Sequence, residues 1–428
     1  MNRHLFLSLF ALLLSATGCS DPTPPASAAP SPITRYPYLQ MALHDSLTIL
    51  WRSANANPAE VRFRKQGTEA WVTAAANTRP TSGGQTECEA VLYHLSPAQY
   101  YEYQLWQNNA PLLPDTFTFR APIAPTDTSF HFFAVGDIGE PLETEGTPNL
   151  LGKALKQSAH RYDLGILMGD IVYPDGQSKD YDANFFRHFE GYLSTTPVYP
   201  VLGNHDWHEP EQHFMREWKL PHNEHYYSFQ HGNVHFIGLD SGKGGDMYDY
   251  ENQIQWLKDD LSHRPAGTDW TIVFLHHNGK SCTYKSDEAG VISLYPIFEA
   301  HGVDLVLNGH AHTYERLNPM NGAGEVLQPY LQDSTSTYHD LPGFISITAG
   351  SGGKLRGVGS DPKAYHPNPD SCAHPNLVAA AHHTWAYLGL EVDGKRLTGR
   401  AYQTETLEVL DEFTLVKTGG ERAIDLVQ

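Results

Sequence analysis

Five apolar runs along the chain each stop at residues that can bind a metal ion. "FHFFAVGD" ends in Asp137 and "YDLGILMGD" in Asp170. "PVYPVLGNH" ends in Asn204 and His205, "WTIVFLHH" in His276 and His277, and "VLNGHAH" in His310 and His312. Carboxylate and amide oxygens together with imidazole nitrogens make a donor set for hard and borderline cations. His310 and His312 are two residues apart, so in extended chain both point the same way and can aim at one cluster. Gly309 lets the backbone come close at that point. Taken singly these residues say little: an Asp after Gly is commonly a turn residue, and a strand-end His commonly lies on the surface or in a core. Five such endings in this order are poorly explained by coincidence.

Donors delivered by five strand ends to one edge are what a metal site needs. Charge balance bounds what else the chain can bind. Lys plus Arg is 29 and Asp plus Glu is 49, a formal net charge of -20. That excludes nonspecific electrostatic binding of nucleic acid. It would also repel an anionic substrate, unless bound cations reverse the potential locally.

The elements that must position these residues follow from pattern. The five runs read as buried strands. Helical patterns lie between them: "TPNLLGKALKQSAH", with Thr147 as N-cap and Pro148 at the first helical position, then "DYDANFFRHFEGYL" and "ENQIQWLKDDLSHR". Alternating strands and helices predict a mostly parallel α/β sheet, with ligands bound at the carboxyl ends of its strands. After residue 343, "GFISITAGSGG", "TWAYLGLEV", "RLTGRAYQT" and "VLDEFTLV" read as further strands that form a second sheet packed on the first. This body spans residues 128–418. Ahead of it, residues 33–123 hold short β-type runs split by turn signals, which predict a small all-β sandwich.

The first residues read as an export signal covering 1–18: Arg3 and His4, an apolar run from Leu5 to Leu14, then small residues up to Cys19. "SATGC" resembles the lipobox of bacterial lipoproteins, except that Ala16 stands where Leu is usual. Ordinary signal-peptidase cleavage is the alternative. Residues 19–32 are a Pro/Ala/Ser-rich tether. The expectation is an exported protein, periplasmic or extracellular, attached to a membrane through lipidated Cys19. Cys282 and Cys372 both lie in loop sequence and are the preferred disulfide pair; unpaired thiols are the alternative.

The ordered motifs "GDIG", "GDIVY", "GNHD", "VFLHH" and "GHAHTYER" resemble the calcineurin-like metallophosphoesterases. Within these they resemble the purple acid phosphatases, on Tyr173 in "GDIVY" and on the "GHAHTYER" block. "RYPYLQ" and "LTILWRS" look like the start of that family's fibronectin type III-like domain, and "LSPAQYYEYQL" looks like its corner, with Leu95, Pro97, Tyr101 and Tyr103 in place. The resemblance implies a four-layer α/β/β/α sandwich preceded by the fibronectin-like domain. It implies a dinuclear centre of Fe(III) with Fe(II), Zn or Mn. Asp137, Asp170, Tyr173 and His312 would hold the first metal. Asp170 would bridge to the second, completed by Asn204, His276 and His310. A tyrosinate suits ferric iron, and in the family its charge transfer to iron gives the purple colour.

The implied reaction is hydrolysis of phosphate monoesters of small molecules, a metal-bound hydroxide attacking phosphorus while His205 assists the leaving group. Asp206 would either orient the His205 imidazole or simply cap a turn. In plant and mammalian members, histidines after the fourth motif help bind phosphate; here none follows His277. His277, Lys280, Tyr284 and Lys285 are the candidate replacements, His277 being taken as the substrate contact. Glu315 and Arg316 look structural. Two other functions compete: a phosphodiesterase on the same scaffold, and a surface binding protein that has lost catalysis. The presence of all seven implied ligands and His205 argues against the latter.

Overall fold

The computed structural model describes residues 32–55, 57–81, 83–207, 212–285, 287–330, 336–355 and 376–419. The leader, the tether with Cys19, and Cys372 lie outside the described residues. Cys282 is disulfide-bonded, and Cys88 is a buried free thiol. No helix among the described residues is long and apolar enough to cross a membrane.

The first part is a two-sheet antiparallel sandwich. One sheet runs Ile33–Leu43, Ser46–Ser53, Thr86–Leu92 and Asn77–Pro80; the other is centred on Ala59–Lys65 and Tyr100–Gln107, with Phe117–Arg120 also pairing the latter. Alternation along the strands puts Val61, Phe63, Tyr103 and Leu105 in one core with Leu39, Ile49 and Trp51 from the facing sheet. The corner expected from the sequence is present, because the Ser96 N–H donates to the Tyr101 hydroxyl at 2.9 Å.

The α/β body contains two seven-stranded mixed sheets. The first orders Val198–Val201, Leu164–Met168, Ser129–Val135, Ala386–Asp393, Arg396–Gln403, Val409–Val416 and Thr337–His339. The second orders Tyr227–His231, Val234–Gly238, Trp270–Phe274, Leu305–Asn308, Ile345–Ala349, Tyr314–Leu317 and Val378–His382. They pack face to face. Strand alternation decides which side chain goes where: Trp270, Ile272 and Phe274 meet Phe132 and Ile166 in the inter-sheet core. Val273, Leu275 and Val306 point the other way, onto the helix Tyr250–Ser262 through Ile254, Leu257 and Leu261. The helix Pro148–Gln157 packs on the first sheet through Leu151, Ala154 and Leu155. The order is therefore helix, sheet, sheet, helix.

One expectation needs correction. The five runs that end in donors do not share a sheet. Ser129–Val135, Leu164–Met168 and Val198–Val201 are parallel neighbours in the first sheet. Trp270–Phe274 and Leu305–Asn308 are parallel neighbours in the second. The late strands are likewise divided: Ile345–Ala349 pairs Leu305–Asn308, whereas Ala386–Asp393 pairs Ser129–Val135. Both sheets thus present carboxyl ends at one place, and the donors converge from two sides. The hairpin Tyr227–His231 and Val234–Gly238 was not foreseen. Its polar positions (Ser228, Gln230, His235) blur the strand pattern.

The sandwich is fastened to the body by buried polar contacts. The Tyr103 hydroxyl donates to Ser194 O at 2.9 Å and the Gln40 amide to Val198 O at 2.8 Å. Arg35 and Arg52 both bind Glu217 Oε2 at 2.6 Å, with side-chain exposures of 1 % and 7 % for the arginines and 1 % for Glu217.

Candidate metal centre

Three of the strand-end residues sit in the left-handed region of backbone space: Asp137 at φ 56°, Asp170 at φ 49° and His310 at φ 67°. Each follows a glycine, and each chain turns sharply there, aiming the side chain across the strand ends. The glycines are needed for contact. A Cβ on Gly136 would lie 2.9 Å from Met168 O, and one on Gly309 would lie 2.6 Å from Asp137 Oδ2.

The result is a buried, converging donor set. Carboxylate atoms of Asp137 and Asp170 and an imidazole nitrogen of His276 lie within 4.8 Å of one another. Tyr173 Oη is 2.9 Å from both Asp137 Oδ1 and Asp170 Oδ2, and 3.5 Å from His312 Nε2. His312 Nε2 is 3.3 Å from Asp137 Oδ1. On the other side, His276 Nε2 is 3.1 Å from Asn204 Oδ1, 3.1 Å from His310 Nδ1 and 3.4 Å from Asp170 Oδ1. Asp170 touches both groups, through Oδ2 on the Tyr173 side and Oδ1 on the His276 side. All seven residues singled out in the sequence as ligands are brought together.

The electrostatics suit cations. Burial, then the negative charge of Asp170, raises Asp137 to about 6, against the pull of His276. Burial opposes ionisation of Asp170 too, but His276, His205 and the His205 amide hold it below the usual carboxylate range. Burial and then the two carboxylates push the Tyr173 phenol well above its ordinary value. Burial, with His276 and His277 beside it, holds His310 neutral. Imidazoles, two carboxylates and a phenol are ligands whose charge a metal pair would balance. The tautomer of His276 is also set: its Nδ1 donates to Met168 O at 2.8 Å, leaving the Nε2 lone pair facing the cluster. The residues fit a dinuclear centre.

His205 stands at the edge, its side chain 30 % exposed. Its ring packs 4.5 Å from that of Tyr173, its Nδ1 is hydrogen-bonded to Pro174 O, and its Nε2 is 4.0 Å from Asp170 Oδ2. Asp206 serves the backbone. It is buried, and its carboxylate accepts the N–H groups of Ile171 at 3.1 Å and Gly203 at 2.9 Å. It ties the loop carrying Asp170 to the loop carrying Asn204 and His205.

His277 also departs from expectation. It is 2 % exposed, packs 4.3 Å from the His310 ring, and is hydrogen-bonded through Nδ1 to the Ser241 hydroxyl at 2.8 Å. It braces a ligand and does not line the mouth. Lys280 is directed to Gly324 O, 2.9 Å away. Of the four candidates, Lys285 reaches the centre, its Nζ 3.2 Å from His310 Nδ1, and the Tyr284 ring lies 6.3 Å from that of His312. The loop is held by hydrogen bonds. Glu315 accepts from Ser281 and Cys282 at 2.6 and 3.0 Å, and Asn278 and Thr283 both donate to Lys285 O. Ser241, Glu140 and Lys354 were missed; the first follows the unforeseen hairpin, and the others have no pattern of their own.

Residues 130–314 match the calcineurin-like phosphoesterase family model. The chain is 27 % identical over 294 residues to Purple acid phosphatase 18 of Arabidopsis thaliana, covering 63 % of this chain and 62 % of that protein. It is 30 % identical over 265 residues to Purple acid phosphatase 22 of the same plant, covering 56 % and 54 %. The chain thus spans between about half and two thirds of the length of these relatives. In fold it is similar to a purple acid phosphatase from yellow lupin (Lupinus luteus) seeds, with a TM-score of 0.73, 20 % identity, and coverage of 89 % of this chain and 74 % of that one. With its two facing sheets and its strand-end donors, the chain is similar in fold to a purple acid phosphatase and, over residues 130–314, in sequence to the calcineurin-like phosphoesterases.

Proposed function

We propose that the protein is a metal-dependent phosphatase hydrolysing phosphate monoesters of small molecules at a dinuclear centre. The observation that carries this is the placement of Asp170 between two donor groups, Tyr173 on one side and His276 on the other. In this reading Asp137, Asp170, Tyr173 and His312 hold Fe(III), and Asp170, Asn204, His276 and His310 hold Fe(II), Zn or Mn. When bound, the pair supplies Lewis-acid activation of water and neutralises charge on the phosphoryl oxygens.

The chain's own residues do the rest. Met168 O fixes the His276 ring, and Asp206 fixes the two loops that carry Asp170 and His205. His205, with Nδ1–H given to Pro174 O, turns Nε2 toward the centre and can pass a proton to the leaving oxygen. Lys285 is an ammonium at the mouth, suited to a terminal phosphoryl oxygen, which favours a monoester. Export, on the strength of the apolar run from Leu5 to Leu14, would place this activity outside the cytoplasm.

The test is Asp170→Asn, with metal counted per chain alongside hydrolysis of an aryl phosphate. The reading predicts loss of both metal and turnover. A variant that retains two metals per chain contradicts the bridging role.

A further inference from the structure

The ring of Tyr173 is covered by a cation that the reaction described above does not use. Lys354 Nζ stands 3.8 Å from the ring centroid. Glu140 Oε2 holds that ammonium at 2.8 Å, the lysine side chain being 25 % exposed and the glutamate side chain 14 %. The main chain is fixed as well: the N–H groups of Gly353 and Lys354 donate to Asp137 O at 2.9 and 3.1 Å. Glu140, three residues beyond Asp137, is braced by the Thr144 hydroxyl at 2.7 Å. An ordinary surface ion pair has no need of an aromatic face. Here both partners are anchored to the segment that carries Asp137, and the ammonium lies over the ring of a candidate ligand.

A cation over an aromatic face is attracted by the ring's electrons, and more strongly when the ring carries a phenolate charge. We propose that Lys354, held in place by Glu140, is a positioning residue that sets the electronic character of Tyr173 as a metal ligand. The proposal rests on the preceding reading in one respect, that Tyr173 binds iron. Its consequence is spectroscopic. Tyrosinate-to-iron charge transfer moves electron density out of the ring and leaves it more positive beneath the ammonium. Lys354 therefore raises the energy of the transition, and Glu140 opposes it.

The experiment is the visible spectrum of the iron-loaded protein, with iron content measured, for the parent chain and for Lys354→Met, Lys354→Arg and Glu140→Gln. Lys354→Met is expected to move the charge-transfer band to longer wavelength by an amount on the order of tens of nanometres, as Coulomb's law gives for a unit charge at this distance in a partly solvated site. Lys354→Arg keeps the charge and should keep the band; a merely structural role would disturb both variants alike. Glu140→Gln should move the band to shorter wavelength, and it serves as the reading if Lys354→Met does not hold iron. Bands unmoved in the iron-replete variants overturn the proposal while leaving Tyr173 as a ligand. An iron-replete parent protein with no such band overturns this proposal and the assignment of Tyr173 together.

Discussion

Lys285 Nζ lies 3.2 Å from His310 Nδ1, which puts an ammonium group beside a candidate metal ligand. Its charge also bears on Asp137, Asp170 and His277. At that position it can meet a phosphoryl oxygen that approaches the centre. A terminal phosphate carries more charge than a diester, so it has more to lose. Lys285→Met is predicted to lower kcat/KM for an aryl monoester by roughly 10- to 1000-fold, the range for removing one preorganised charged donor. The loss for the matching diester should be smaller, and Lys285→Arg should recover most of the monoester rate. Equal losses on both substrates would remove the discriminating role.

Asp206 is a structural tie, and its substitution should behave as one. Asp206→Asn removes one of the acceptors that serve Ile171 and Gly203. It is predicted to destabilise the protein by about 1–3 kcal/mol, the cost of a buried partner left unsatisfied, read as a lowered Tm. The shape of the pH–rate profile should stay that of the parent protein. A displaced acid or alkaline limb would instead show that Asp206 tunes His205.

The junction between sandwich and body depends on Glu217. Burial alone would raise its carboxyl, but Arg35 and Arg52 hold it below its ordinary value of 4.5. For a carboxylate depressed in the folded state, the stabilisation is present above the unfolded value and is lost as pH falls through the folded one. Stability should therefore be insensitive to this group at neutral pH and fall below about pH 4.5. Glu217→Gln removes a buried charge shared by both guanidinium groups while leaving Asp182 and Glu87 beside them, and a loss of about 1–3 kcal/mol is expected. Urea unfolding at pH 7 and pH 4 measures both effects: the variant should be much weaker than the parent at pH 7, and the gap should narrow at pH 4.

Tyr173→Phe separates colour from catalysis. The phenol oxygen is 2.9 Å from each of two carboxylates, and its removal deletes one anionic donor while leaving Asp137, Asp170 and His312 in place. The iron-loaded variant should lose the charge-transfer band and bind iron more weakly. Hydrolysis should persist at a reduced rate. A band retained in the variant would mean that a different residue supplies it.

The candidate metal donors were legible in the sequence because most are a local signal: a residue type at the end of an apolar run, with a glycine before four of them. Their division between two sheets was not. Whether Trp270–Phe274 pairs with Val234–Gly238 or with Ser129–Val135 depends on partners far along the chain, and both choices bury the same apolar residues. The choice of His277 over Lys285 as the substrate contact failed to foresee the packing for a related reason. Both are polar residues near the fourth strand end, and only the packing of His277 against His310 and Ser241 separates a brace from a mouth residue. Asp206 was left open between two roles, and the backbone N–H groups it accepts decide for the turn. Lys354 stands more than two hundred residues from Asp137 in the chain, with nothing in its own surroundings to connect it to Tyr173.

The most direct test compares initial rates for an aryl phosphate monoester and the matching diester, from acid to alkaline pH, on the full chain loaded with iron and then zinc or manganese. Dominant monoester turnover at acid pH, proportional to bound metal, is the predicted result. Dominant diester turnover would contradict it and move the assignment to a phosphodiesterase. Metal bound at full occupancy with no turnover of either ester would contradict the catalytic account altogether.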